Sequence, residues 1–234
     1  PAIIFNQSRE AGDQILEVEG LTAHSEDGTL LFKDLSFKMN RGDKITVISD
    51  NSLAITALFD IINGVRKPEA GSYTFGQTIT TAYLPNEHQH FFDTDDNLVD
   101  WLREYSENKD EVYVRGFLGK MLFTGEEVLK SARVLSGGEK MRCLMSRMML
   151  QEANLLTFDE PTNHLDLESI QALNNSLQDY KGSMLFTSHD HTFTQTIANR
   201  VIEIFPNGTL DKLLEYDDFI QDPKIQEQRE ALRP

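Results

Sequence analysis

The chain has 234 residues, one cysteine and a formal charge of −16 at neutral pH. That length suffices for one substantial domain or two small ones with a sizeable core, and a lone Cys143 excludes an intramolecular disulfide. So acidic a surface repels free nucleic acid at long range, and no uninterrupted apolar run approaches the ~18 residues a membrane-spanning helix needs. With no basic start followed by an apolar segment, the reading is of a chain without a signal peptide, in the reducing cytoplasm.

In chain order, residues 1–13 carry no strong period and read as an extended lead-in. Ile15–Glu19 alternates and predicts a strand, as does Leu30–Met39, with Glu26-Asp27-Gly28 as the turn between them. Lys44–Ile48 is a β-branched strand, Ser49–Ala54 a loop, and Ile55–Asn63 has helical spacing. Strand, loop and helix are the setting of the phosphate-cradling pattern G-x-x-x-x-G-K-[ST]. Laid on it, Ser49 and Ala54 replace the two glycines, Ile55 replaces the lysine, and Thr56 keeps the hydroxyl. Glycines let backbone N–H groups wrap a phosphate, and the lysine adds a charge-assisted contact worth roughly 1.5–3 kcal/mol. Isoleucine contributes none of that. A helix amino terminus keeps its partial positive charge, so weak nucleotide binding stays open.

Ser72–Phe75 and Ile79–Tyr83 read as further strands, followed by the turn Leu84-Pro85-Asn86-Glu87. His88 and His90 are too few for a metal site and read as loop residues. Asp95–Asn97 opens a helix, with Leu98, Val99, Trp101 and Leu102 apolar. A second helix over Glu111–Leu122 turns Val112, Val114, Phe117 and Leu118 inward, and a third spans about Gly125–Ala132. Ser136 caps a helix running from Gly138 to Gln151, whose first free N–H groups face an anion. Asn154–Phe158 is a short apolar run, a buried strand, ending in Asp159-Glu160. A helix from Asp166 or Leu167 to Asp179 and a strand over Ser183–Ser188 follow, with His189 at the strand's carboxyl end. Arg200–Phe205 and Thr209–Lys212 form a hairpin. Tyr216–Gln221 and Lys224–Leu232 are terminal helices, the last polar on most faces and frayed.

Asp159 and Glu160 stand where open α/β sheets place their ligands. Adjacent buried carboxylates repel unless something occupies them. A magnesium ion on Asp159 and an attacking water oriented by Glu160 would do so; an acidic turn after a core strand is the alternative. Two other stretches bear on the choice: Leu135-Ser136-Gly137-Gly138-Glu139-Lys140 upstream and Thr187-Ser188-His189-Asp190 downstream. The three in this order resemble the ATP-binding cassette (ABC) ATPases. Pro161-Thr162-Asn163-His164-Leu165-Asp166 is similar to the ABC-F branch, whose members are soluble, usually carry two cassettes in one chain and act on ribosomes.

The resemblance covers nearly the whole chain. It implies an α/β fold, the P-loop NTPase-like ABC nucleotide-binding domain, with an N-terminal antiparallel β-subdomain and an inserted helical subdomain. The expected division of the single cassette is 14–90 for the β-subdomain and phosphate-loop region and 91–150 for the helical subdomain and signature. Residues 151–213 would be the core strands and 214–234 the terminal helices. It implies ATP and Mg2+ as cofactors, with Glu160 and His189 catalytic and Asp159 and Thr56 on the metal. Ser136, Gly137, Gly138, Asn51, Thr56 and Asn86 would bind nucleotide, Asn86 taking the place of the family's usual glutamine. His24 lies nearest the position of the family's adenine-stacking aromatic and reads as an exposed loop histidine. Cassettes of this type pair head to tail, so the implied partner is a second cassette, in the same chain or as a dimer, and in this branch the ribosome. The lead-in over 1–10 resembles the region after an interdomain linker, as in a carboxy-terminal cassette. A membrane transporter's nucleotide-binding subunit and a non-catalytic interaction module remain the alternative classes.

Overall fold

A computed structural model describes all of residues 1–234. Its first half runs β1 (Gln14–His24), β2 (Leu30–Asn40), β3 (Lys44–Ile48), α1 (Ser52–Ile62), β4 (Ala70–Phe75), β5 (Thr81–Leu84), α2 (Leu98–Arg103), α3 (Glu111–Lys120) and α4 (Gly137–Leu150). The second half runs β6 (Leu155–Asp159), α5 (Leu167–Asp179), β7 (Ser183–Thr187), α6 (His191–Ile197), β8 (Arg200–Phe205), β9 (Gly208–Lys212), α7 (Tyr216–Gln221) and α8 (Pro223–Leu232).

Two sheets form. The antiparallel one has the order β2-β1-β4, and the six-stranded one the order β5-β6-β7-β3-β8-β9. In the larger sheet every pairing is parallel except the β8–β9 hairpin. β6 and β7 are buried along their whole length, as befits parallel strands covered on both faces. A 34-residue apolar core lies between that sheet and the helices α2 to α5, and includes Trp101, Phe123, Phe158 and Phe186. A second core of 25 residues lies between α1, β3 and the antiparallel sheet. The antiparallel sheet closes tightly at Gly71, whose φ is +82°. A Cβ there would stand 2.3 Å from the Gly20 carbonyl oxygen, so only glycine fits.

Five expectations need correction. β1 extends to His24, well past the short alternating run that announced it. α1 begins at Ser52, inside the stretch read as a loop, because Asn51 caps it. Val112 is 78% exposed: Val114 and Leu118 define the inward stripe of α3, and a residue two before Val114 points the other way. The third helix of the helical region is two short 3-10 turns, Gly125–Leu129 and Ala132–Val134, separated by extended Lys130 and Ser131. The last helix is docked rather than frayed. Arg229 grips the buried Glu203 carboxylate with Nε at 2.6 Å and a terminal nitrogen at 3.1 Å, and Ile225 is buried.

The lead-in is extended but bound. Ile3 and Phe5 are buried in the larger core, and the N–H groups of Ala2 and Ser8 donate to the carbonyls of Lys120 and Glu152. No helix is long and apolar enough to cross a membrane.

Candidate active site

The carboxyl ends of β3, β6 and β7 open into a cleft of about 360 Å3, where a parallel sheet places its ligands. Asp159, Glu160, His189, Asn86, Ser49, Ser52 and Ile55 line it together, so four stretches far apart in sequence converge on one spot.

Asp159 ends β6 and is 3% exposed. The Thr56 hydroxyl donates to its Oδ2 at 2.7 Å. Burial pushes the Asp159 carboxyl up to about 6; the Thr56 hydrogen bond opposes this, and the charge of Glu160 adds to it. A carboxylate and a hydroxyl in contact at the edge of a cleft suit magnesium, which binds through one or two protein oxygens and completes its shell with phosphate and water. No cluster of three or more His, Cys, Asp or Glu forms an all-protein metal cage. Asn86 lies on the wall shared with an adjoining cleft that also touches Thr56, Asp60 and Tyr83.

Glu160 has φ of +57° and His164 of +65°, the left-handed region, which costs a non-glycine residue roughly 1–3 kcal/mol where it is sparsely populated. The turn is held by the Glu160 N–H donating to the Thr187 carbonyl at 3.0 Å. The twist turns the Glu160 side chain toward His189. The His189 N–H donates to Glu160 Oε2 at 3.2 Å, and His189 Nε2 lies 3.2 Å from Oε1. Burial raises the Glu160 pKa and His189 opposes the shift. The imidazole itself is exposed, reaching over the cleft. Thr162 Oγ1 and Ser188 Oγ, 3.2 Å apart, tie the two strand ends together.

The amino termini of α1 and α4 differ in a way that bears on anions. At α1, Asn51 Oδ1 accepts from the Leu53 N–H at 3.1 Å and the Asn51 carbonyl from the Ala54 N–H at 3.0 Å. Two of its first three amides are thus engaged within the chain. No residue from Ser49 to Thr56 has a positive φ, and Ile55, 4% exposed, belongs to the apolar core. Asn51 is a helix cap rather than a lining residue of the cleft.

At α4, Ser136 and Glu139 form a reciprocal capping box, with N–H to oxygen distances of 3.2 and 3.1 Å. The amides of Gly137 and Gly138 have no partner within the chain. A Cβ on either glycine would meet only His164, at 3.8 Å, and neither has a positive φ. Neither packing nor backbone conformation within the chain calls for glycine there, although glycine in a helix costs about 0.5–1 kcal/mol relative to alanine. Ser136 to Gly138 do not line the cleft of their own chain.

His24 does not reach the cleft. Its Nδ1 lies 2.8 Å from Glu69 Oε1, and its carbonyl accepts from Arg66. The cleft also has walls that sequence reasoning missed: Asn163, Ser188, His191 and Tyr216. His191 starts α6, pairs with Asp217 at 2.7 Å and meets the Tyr216 ring edge-on, which brings α7 against the site.

The Asp159 shift sets a pH dependence. Its carboxyl ionises near pH 6 in the folded chain and at its ordinary value of 3.8 when unfolded. The folded state therefore holds this proton more tightly, and the group's contribution to stability falls as pH rises from about 4 to about 6. Asp159→Asn is expected to raise thermal stability at pH 8 by the order of 1–3 kcal/mol, with the gain shrinking to nothing near pH 4. Melting curves across that range check it; a gain independent of pH would contradict it.

The family model described as ABC transporter matches residues 32–163, more than half of the chain. The chain belongs to that family, the ABC ATPases, and its relatives include members of the ABC-F branch. It is 54% identical over 228 residues, 97% of its length, to a Bacillus subtilis (strain 168) protein named an uncharacterized ABC transporter ATP-binding protein, YkpA, 42% of which is covered. It is 30% identical over 220 residues to ABC transporter F family member 5 of Arabidopsis thaliana, covering 94% of this chain and 32% of that one. It is 33% identical over 205 residues to the energy-dependent translational throttle protein EttA of Haemophilus influenzae, covering 84% and 36%. Among solved structures, the ATP-binding subunit of an ABC transporter superposes with a TM-score of 0.73 over 93% of this chain and 99% of that one, at 18% identity, which speaks for the fold alone. The chain spans about two-fifths or less of the length of these curated relatives.

Proposed function

We propose that this chain is one cassette of a paired ATPase, lending its Ser136-Gly137-Gly138 face to the nucleotide of a partner cassette while holding its own nucleotide weakly. The observation that carries this is the contrast between the two helix termini. α4 presents the two free amides of Gly137 and Gly138, glycines that nothing inside the chain requires, a surface suited to close approach from outside. α1, where the chain's own phosphates would rest, spends two amides on Asn51 and offers isoleucine in place of lysine.

In its own cleft, Asp159 and Thr56 would hold magnesium and Asn86 would face the metal and the nucleotide. Glu160 would orient the attacking water, and His189 would contact the terminal phosphate. Magnesium would supply charge neutralisation between phosphate oxygens. The test is titration of the isolated chain with Mg-ATP. The expected result is affinity weaker than micromolar and no turnover; micromolar binding with turnover by this chain alone would defeat the reading.

The setting we favour is translation, supported by the Asn163-His164 pair and the name of EttA. A second setting, the nucleotide-binding subunit of a membrane transporter, draws on the name of the 54% identical relative. Co-sedimentation of the full-length protein with ribosomes rather than membranes decides between them.

A further inference from the structure

We propose that Arg233, just past the end of α8, is a positioning residue of the loop between β3 and α1: it holds the Asp50 carboxylate away from the place an anion would take. Asp50 lies between Ser49 and the capping Asn51, in a stretch from Ser49 to Thr56 that contains no lysine or arginine. An unrestrained carboxylate there opposes any phosphate approaching the amino terminus of α1. Its one ion pair is with Arg233, whose Nε stands 3.2 Å from Asp50 Oδ2 across 183 residues of sequence. Arg233 also meets Glu230 and is only about one-third exposed.

The arginine is delivered by a firmly built support. Its N–H donates to the Arg229 carbonyl at 3.2 Å, and Arg229 itself is clamped on Glu203, which is 1% exposed. Glu203 is the β8 neighbour of Ile48, the residue immediately before the loop. Leu232 packs beside the β8–β9 turn, where a Cβ on Gly208 would come within 2.6 Å of it, and joins Ile48 around one apolar cluster. The root of the loop and the root of Arg233 are therefore fixed to the same pair of strands.

The inference rests on the loop being a nucleotide site, as proposed above, and the test separates the two. Mg-ATP affinity is measured at low salt for the wild-type chain and for Arg233→Ala, Arg233→Lys, Asp50→Asn and the double variant Arg233→Ala/Asp50→Asn. Arg233→Ala is expected to weaken binding about two- to fivefold, the range of an exposed charge pair. Arg233→Lys should keep wild-type affinity, the double variant should recover it, and added salt should shrink the difference. An Arg233→Ala chain that binds as wild type, or a double variant that does not recover, overturns the inference; the wild-type affinity alone bears on the reading of the site. A second readout needs no ligand. Hydrogen exchange at the amides of residues 50–53 should quicken several-fold in Arg233→Ala and not in Arg233→Lys, and unchanged exchange in both counts against the proposal.

Discussion

Changing Ser52 and Ala54 to glycine and Ile55 to lysine together is expected to tighten Mg-ATP binding by about ten- to a hundredfold, the worth of one buried charge-assisted phosphate contact. Ile55 borders the cleft, so a lysine ammonium placed there can reach a phosphate. The glycines are as important as the charge. With Ser52 and Ala54 in place, the first turn of α1 closes on Asn51 and withholds the amides of Leu53 and Ala54. Glycines lower the cost of opening that turn into a nest of N–H groups. Ile55→Lys alone should therefore gain less than the triple change, because it desolvates an ammonium among core residues without freeing the backbone. Calorimetric titration of the triple variant beside the single one decides. Equal affinities for all forms would mean that the loop is not where nucleotide binds, and would favour the non-catalytic module.

Arg200→Ala should lower stability by about 3–5 kcal/mol, the usual cost of stranding buried charge, which for a chain of this size is a fall in Tm of roughly 6–20 °C. The Arg200 side chain is 8% exposed. Its Nε and one terminal nitrogen grip both oxygens of Asp211 on β9, at 2.8 and 2.6 Å. The other terminal nitrogen donates to Asp43 before β3 and to the Lys38 carbonyl on β2, each at 2.8 Å. One guanidinium thus joins the antiparallel sheet to the parallel one, and its removal leaves two carboxylates without their cation. Arg133→Ala makes the contrast. Its bond to Asp95 is exposed on both sides, and its loss should stay within about 1 kcal/mol. Thermal unfolding of the two variants tests the difference, and an Arg200→Ala Tm within a few degrees of wild type would contradict it.

Where local chemistry and burial agreed, the sequence was easy to read. Asp166 before an apolar period, with Lys181-Gly182 beyond it, bounded α5 correctly, and the largely apolar run Leu155–Phe158, broken only by Thr157, marked a strand covered on both faces. The start of α1 was obscured by the motif laid over it. Asn51-Ser52-Leu53-Ala54 is a strong cap followed by ordinary helix-compatible residues, yet the phosphate-loop pattern argued for a loop. α6 went unseen because His191-Thr192-Phe193-Thr194 has poor helix propensity; the Asp190 cap and the packing of Phe193 on Phe186 form it regardless. The burial of Arg229 depends on Glu203, 26 residues away, and no local pattern carries that. Tyr216 reached the cleft for the same kind of reason, through His191.

The short turn from Glu160 to His164 has a mechanical consequence. One of its two left-handed residues holds the histidine over the cleft, and the other lies beside Gly137 and Gly138 at the start of α4. Only three residues separate them, and such twisted links have few alternative shapes. A neighbour that presses on the glycine side pushes on a lever whose far end is the Glu160 carboxylate, held against His189.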